Sequence, residues 1–406
     1  MYTPQECVMA WKETNVFEER MKFVVAWKRG GWSLTDLCRE FNISRVTGYK
    51  YLEQYQLYGL DGLKDKSRRP KRHPKTTRKK ILELVLQERK DHPRWGARKL
   101  LASLRARFHM IKHWPHPSTV GRILKNHGLI KAPKRRIQRQ SIEQPFSHAL
   151  GPNDIWCADF KGHFTVGNGE RCTPLTVTDA YSRFLLCCEI VPKADTANVI
   201  NEFTKLFIKY GMPLAIRTDN GTPFASNALA GLSKLSVWWL KLGIKLERIE
   251  PGKPQQNGRH ERMHKTLKEE TALPPRSSLE AQQKAFRDFQ KEFNYVRPHE
   301  GIKNEFPANY YKKSKRKFPK RLVKAAYPTN ISVGEVNDLG NLYYEGHRIF
   351  LSSALAEEQV GLEEISDRHA KIHFYGVSLG VIDVYTGKLL HFKNPMPSSF
   401  TSETGY

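Results

Sequence analysis

The sequence predicts a multidomain chain, with all-α modules at the N-terminus, a mixed α/β domain at the centre and a small β-barrel at the end. Three observations carry this. Helical periodicity dominates residues 15–130. Over 154–272, a group of β-rich runs gives way to strands alternating with helices. From Asn330 to Phe392, short alternating runs recur between turn residues. At 406 residues the chain is too long for one compact core. The expected division is a helical module over 1–63, a basic linker over 64–75 and a second helical module over 76–130. A further basic linker over 131–150, the α/β domain with its closing helices over 151–311, a third basic stretch over 312–328 and the barrel over 329–395 complete it.

Lys and Arg number 68 against 41 Asp and Glu, a formal charge of +27. That is the electrostatic footprint of a polyanion binder, although a merely soluble basic protein has the same balance. No stretch is long and apolar enough to span a membrane, and the N-terminus lacks a signal peptide's apolar core. Cys7, Cys38, Cys157, Cys172, Cys187 and Cys188 form no Cys-x-x-Cys pair, and most sit in apolar stretches. They read as reduced, buried thiols of a cytoplasmic protein, not as a disulfide frame or a zinc site.

Residues 15–60 read as three helices. Phe17, Met21, Val24 and Val25 give the first its apolar stripe. Ser33 is a good N-cap for the second, with Leu34, Leu37, Cys38 and Phe41 inward. After the polar turn Asn42-Ile43-Ser44, a third runs from Arg45 to Tyr55 with Val46, Tyr49 and Leu52 inward. The arrangement resembles a helix-turn-helix whose second member enters the major groove, which would turn Ser44, Arg45, Thr47, Gly48 and Lys50 towards DNA. A plain helical bundle has the same spacing. The run from Lys64 to Lys80, with ten basic residues including Arg68 and Arg69 against Asp65 alone, favours DNA. Such a run cannot bury a core and suits phosphate contacts without sequence preference.

From Thr76 to Ile130 the pattern repeats. Ile81, Leu84, Val85 and Glu88 lie on one amphipathic helix. Trp95-Gly96-Ala97 opens another that runs to about Phe108, and His116-Pro117-Ser118 caps a third. His109, His113 and His116 lie between the later helices and read as ordinary polar histidines. Lys131, Lys134, Arg135, Arg136 and Arg139 then form a second basic linker.

The α/β domain opens with β-rich runs at Ile155–Val166, Thr173–Ala180 and Arg183–Val191, with a hairpin turn at Gly167-Asn168-Gly169. A helix over Thr196–Tyr210, a strand over Leu214–Thr218, a helix over Leu229–Leu242 and a strand over Lys245–Ile249 follow. Asp159 falls inside the first, aromatic-rich strand, where a carboxylate is costly to bury unless it meets a cation. Asp219 ends a strand at an Asp-Asn-Gly turn. Glu261 lies about one turn into a helix fed by a Pro/Gly loop. Acids positioned by turns on separate elements are how a chain presents oxygen ligands to a hard divalent cation.

These residues resemble a family. Asp159, Asp219 followed by Asn220-Gly221, and Glu261 within Pro254-Gln255-Gln256-Asn257-Gly258-Arg259-His260-Glu261 are similar to the Asp-Asp-Glu transposases of bacterial insertion sequences, in the retroviral-integrase superfamily. The step from Asp219 to Glu261, 42 positions, is longer than is usual in integrases. The resemblance implies an RNase H-like fold in which the three acids converge on two Mg2+ ions, with Mn2+ as a substitute. It also implies metal-dependent cleavage at element ends and transfer of the strand into target DNA, without a Ser or Tyr nucleophile. Its expected partners are double-stranded DNA, both terminal repeats and target, and further copies of the chain, at least a dimer. Its expected location is the bacterial cytoplasm, at the nucleoid. Lys265 and Lys268, four and seven positions after Glu261, would contact the DNA end; helix-stabilising pairing explains Lys265 almost as well. Asn220, Gln255 and Asn257 are expected to support the loops around the acids.

Other acids compete. Asp179 reads as a turn and salt-bridge residue, Asp154 as shaping the chain's entry, and Glu269 and Glu270 as solvated. Beyond the acids, a helix over Ser277–Phe293 turns Leu279, Phe286, Phe289 and Phe293 inward. Asn294-Tyr295-Val296-Arg297-Pro298-His299 resembles the segment that closes the catalytic domain in this family, and structural packing is expected there, with Arg297 or His299 as candidates for a place near DNA. Lys312 to Lys324 carries eight basic residues and no acid, and reads as a tether. Two other functions share these features: a non-catalytic DNA-binding regulator derived from a transposase, and a structure-directed nuclease.

Overall fold

The computed structural model describes residues 15–67, 76–130, 149–226, 228–249, 257–322 and 324–390. Cys7, Arg68, Arg69, Arg135, Arg136 and Gln255 lie outside the described residues. The chain divides into two compact units between Thr76 and Thr77.

The first unit holds α1 (Val16–Arg29), α2 (Leu34–Glu40) and α3 (Arg45–Tyr58). Each starts at a side-chain cap. Asn15, Ser33 and Ser44 accept from the backbone N–H of Phe17, Asp36 and Thr47 at 3.0, 3.2 and 3.2 Å. Phe23, Val24, Leu37, Cys38, Leu52 and Leu63 form the core. The inward face of α3 differs from the expected one. Val46 is 79% exposed and Tyr49 65% exposed, and Gly48 is buried in their place. A Cβ on Gly48 would lie 2.6 Å from Cys38 Sγ. The glycine therefore marks where α3 closes on α2, and it sets which stripe of α3 faces in. Val25 also points outward, with Phe23 taking its place in the core.

The second unit begins with α4 (Lys79–Asp91), α5 (Ala97–Arg107) and α6 (Pro117–Asn126), packed around Val85, Trp95, Leu100, Leu104, Val120 and Leu124. Glu88 is buried and not solvated. It accepts from Ser103 Oγ at 2.7 Å and pairs with Arg107. His116 Nδ1 accepts from Ser118 N and caps α6.

The central sheet contains β1 (Ile155–Phe160), β4 (Pro174–Asp179), β5 (Leu185–Ile190), β6 (Ala215–Thr218) and β7 (Lys245–Arg248), after a small separate hairpin of β2 (Phe164–Thr165) and β3 (Arg171–Cys172). The order is β5-β4-β1-β6-β7. β1 is antiparallel to β4 and parallel to β6, and β6 is parallel to β7. The long first run thus breaks at Gly162, where φ is +78°. On one face, α7 (Thr196–Tyr210) and α8 (Lys234–Lys241) cover Trp156, Leu175, Val177 and Ile216. On the other, α9 (Gly258–Thr271) and α10 (Leu279–Tyr295) cover Leu185 and Cys188 with Met263, Leu267, Phe286, Phe289 and Phe293. The expected helix over Leu229–Leu242 is interrupted. Ala230 has φ +50° within a short turn, and α8 starts only after a capping box at Ser233.

The basic stretch after the short helix α11 (Pro307–Tyr310) is a strap, not a free tether. Arg316 donates to the carbonyls of Pro213, Leu242 and Gly243, and Phe318 stacks on Phe207. A guanidinium can satisfy several orphan carbonyls at once, which a count of charges does not reveal.

The expected closed barrel at the C-terminus is not found among the described residues. β11 (Gln359–Ser366), β12 (His369–Phe374), β13 (Val377–Asp383), β14 (Lys388–Leu390) and β8 (Ser332–Glu335) form an open antiparallel sheet of order β14-β13-β12-β11-β8, beside a hairpin of β9 (Asn341–Tyr344) and β10 (His347–Phe350). Its apolar face shares one core with Leu229, Leu232, Val237 and Leu240 of the α/β domain, so it is covered without closure.

Candidate active site

Alternation along β1 sends Trp156 and Ala158 into the core beneath α7 and leaves Asp159 on the opposite face, the side covered by α9. Cys157 pairs with Arg217 in the parallel β1–β6 register. Asp159 lies two residues further along β1, and Asp219 is the residue that follows β6, which brings the two carboxylates near each other. Asp219 Oδ1 accepts from Gly221 N at 3.1 Å, so the Asn-Gly turn holds the carboxylate. Burial and then the Asp219 charge push the Asp159 carboxyl up to about 7, against the opposing pull of its hydrogen bonds. Asn257 Nδ2 donates to Asp159 Oδ2 at 3.2 Å. Asn220 Nδ2 donates to Ile249 O at 2.9 Å and closes the turn onto the strand that follows.

Glu261 is exposed in the first turn of α9. Among the described residues, no hydrogen bond or ion pair joins it to either aspartate. The groups that α9 turns towards Asp159 are instead His260 and His264, both buried. Their Nε2 atoms lie 2.7 and 2.6 Å from Thr176 Oγ, and His264 Nδ1 lies 3.8 Å from Asp159 Oδ2. Ligand atoms of Asp159, His260 and His264 lie within 4.8 Å of one another, close enough to hold a metal ion. Burial holds both imidazoles neutral, at about 3 for His260 and about 2 for His264. The sequence reading missed this pair. The signal was a His-x-x-x-His step, which places two side chains on one helix face.

The competing acids are accounted for. Asp179 is buried and accepts from Asn153 N, Ser182 N and Ser182 Oγ at 2.7, 2.8 and 2.5 Å, so it is a turn residue, without the expected salt bridge among the described residues. Asp154 accepts from the N–H groups of Leu150 and Gly151 and organises the entry to β1. Glu270 pairs with buried Arg297 at 2.5 Å, and Glu269 with Arg94 at 3.2 Å, so neither is merely solvated. Asn294 bonds the Leu185 backbone and His299 meets Phe293 O at 3.1 Å. Arg297 and His299 are thus packing residues.

Residues 149–254 match one integrase core domain family and 242–307 match a second. Residues 19–71 match a helix-turn-helix domain and 47–124 a homeodomain-like domain. An uncharacterized 39.2 kDa protein of insertion element IS476 from Xanthomonas euvesicatoria is 27% identical over 291 residues, covering 70% of this chain and 80% of that protein. An uncharacterized 31.7 kDa protein of insertion element IS407 from Burkholderia multivorans is 25% identical over 233 residues, covering 57% of this chain and 79% of its own length. The chain thus carries an integrase core and helix-turn-helix domains, and it is similar to proteins of bacterial insertion elements. Among solved structures, the catalytic core domain of HTLV-2 integrase in complex with magnesium, in its trimeric form, aligns at 19% identity. Its TM-score is 0.32, over 40% of this chain and 99% of that one.

On this chain the candidate DNA contacts are dispersed. Arg45 and Lys50 are exposed on α3. Thr47 is half-buried with its Oγ 2.9 Å from Ser44 Oγ, and Gly48 is packed away. Lys265 and Lys268 are exposed on α9, and Lys265 faces Glu269 at 4.0 Å rather than Glu261.

Proposed function

We propose that this chain is a DNA transposase that cuts at the ends of its element and joins the freed 3′-ends to target DNA by transesterification. The observation that carries the reading is the Asp159–Asp219 pair at the ends of adjacent parallel strands. Burial and then the Asp219 charge hold the Asp159 carboxyl up at about 7, a cost that a bound cation would remove. Oxygen donors of this kind fit Mg2+ or Mn2+. Asp159, Asp219 and Glu261 would hold two such ions. Once bound, these would supply Lewis-acid stabilisation of the displaced oxygen and activation of the attacking hydroxyl.

The chain's own residues do the rest. Asn257 orients the Asp159 carboxylate. Lys265 and Lys268 carry exposed positive charge along the helix of Glu261 and would hold the phosphates of the DNA end. Arg45, Thr47 and Lys50 would meet DNA from α3, and Arg68, Arg69, Arg135 and Arg136 would neutralise backbone charge from the linkers. We take the functional division to follow the expected segments over 1–311, with the strap and the C-terminal sheet joined to the α/β domain. The two helical modules would recognise terminal repeats, and the protein would work in the cytoplasm on double-stranded DNA as at least a dimer, because one chain carries one set of acids. No helix among the described residues is long and apolar enough to cross a membrane.

The test is strand transfer of a labelled element-end duplex into plasmid with Mg2+ or Mn2+, comparing wild type with Asp219→Asn. Joined product from wild type alone supports the reading. DNA binding with neither cleavage nor joining favours a non-catalytic regulator. Cleavage without joining favours a nuclease, and equal activity in the variant moves the active site elsewhere.

A further inference from the structure

The histidines facing Asp159 have a role that the three acids do not explain. The hydroxyl of Thr176 meets three partners: the Asp159 carbonyl at 3.0 Å, His260 Nε2 at 2.7 Å and His264 Nε2 at 2.6 Å. A carbonyl only accepts, so the one hydroxyl proton goes to Asp159 O. Both Nε2 atoms must then carry hydrogen and donate to Thr176 Oγ. That fixes both tautomers and leaves both Nδ1 atoms as bare lone pairs. His260 Nδ1 is used, because Thr178 Oγ donates to it at 3.1 Å. His264 Nδ1 is not. It lies 3.8 Å from Asp159 Oδ2, with His264 buried and Asp159 half-buried. The gap is too long for a hydrogen bond. It is shorter than two metal–ligand bonds laid end to end, about 4.2 Å, so a single ion can touch both atoms.

We infer that His264 Nδ1 is a nitrogen ligand to the divalent ion held at Asp159, with Thr176 and His260 as the positioning residues that present it. The inference rests on the transposase reading only in requiring a divalent ion at Asp159. The arrangement follows the usual logic of a metal-binding histidine, in which the hydrogen bond made by one ring nitrogen orients the other towards the metal. Here the partner of the non-ligating nitrogen is a threonine hydroxyl locked by a second histidine. Imidazole nitrogen favours Mn2+ and later transition metals over Mg2+, so the site is built to discriminate among divalent ions rather than to take any oxygen-seeking cation alike.

The probe is Mn2+ added to the full chain, followed by pulsed electron paramagnetic resonance of the bound ion. The expected result is nitrogen modulation that changes from the 14N to the 15N pattern when the protein is made with 15N-histidine. His264→Asn should abolish that modulation while Mn2+ still binds, about tenfold more weakly, and should weaken Mg2+ less. Mn2+ that binds in an Asp159-dependent manner without histidine modulation would overturn the inference, as would modulation that survives His264→Asn. The isotope exchange in wild type decides the matter even where the variant does not fold. Mn2+ binding that is indifferent to Asp159→Asn is a different failure. It would remove the metal from Asp159 altogether, and the metal part of the transposase reading with it.

Discussion

At the scale of single residues, Asp159 carries a cost that a cation would remove. Its carboxyl is pushed up to about 7, mostly by burial and then by Asp219. A group whose folded pKa lies above its unfolded value destabilises the fold as it ionises. Without divalent metal, stability is therefore expected to fall as pH rises from about 4 to about 7, by on the order of a few kcal/mol at most. Asp159→Asn should flatten that slope and raise the melting temperature of the metal-free protein at pH 7.5, and added Mg2+ should raise it in wild type but not in the variant. Thermal melts across pH in EDTA and in Mg2+ check both. The buried histidines act in the opposite window. With folded values of about 3 and about 2, His260 and His264 contribute stability that is present above about pH 6.5 and lost as pH falls towards those values. Asp159 and Asp219 were legible in the sequence because each had a local reason to stand out, a carboxylate in an apolar strand and a carboxylate at an Asp-Asn-Gly turn. The histidines were not, because what defines them is a hydrogen bond to Thr176, 84 and 88 positions earlier in the chain.

At the scale of elements, α3 shows how one small residue redirects a helix. Its apolar positions allow more than one inward stripe, and Gly48 selects among them because only a glycine admits Cys38 Sγ and the Phe23 ring. Alanine at this position gains helix propensity, about 1 kcal/mol, but brings a Cβ within 2.6 Å of Cys38 Sγ. Overpacking costs roughly 1–3 kcal/mol, so Gly48→Ala is expected to be net destabilising by about 1 kcal/mol. Adding Cys38→Ala should recover part of the loss, and denaturant titration of the single and double variants measures the coupling. The same rotation exposes Val46 and Tyr49 beside Arg45 and Lys50, giving α3 an outer face that mixes apolar and basic groups. Methyl contacts and charged contacts together are what a major-groove helix uses.

At the scale of the whole molecule, the C-terminal sheet and the α/β domain are one body energetically. Leu229, Leu232, Val237 and Leu240 lie in the same core as Leu342, Leu351, Leu362 and Phe374, and Lys241 pairs with Glu358 at 2.5 Å. Ending the chain at Pro328 would uncover those four side chains, each worth about 1.5–3 kcal/mol when buried. Such a truncation is expected to lower the melting temperature of the α/β domain and to make it aggregate, where a separate terminal domain would leave it unchanged. Calorimetry and light scattering on the two chains decide between these outcomes. The mixed α/β sheet was legible because its strands and helices each announce themselves by period. The open C-terminal sheet was not, because alternation describes a barrel and an open sheet equally, and only the covering partner tells them apart.

The sequence by itself determined most of the elements and their order, the basic stretches and the local settings of Asp159 and Asp219, since periodicity, caps and turn residues act over a few positions. Tertiary structure alone decided which stripe of α3 faces inward, how Arg316 straps the domain, what closes the C-terminal sheet and which groups of α9 look at Asp159. These depend on partners far apart in the chain. The helix of Glu261 carries acids, bases and two histidines in one run, and its rotation against β1 and β4 sets which of them meets the buried carboxylate.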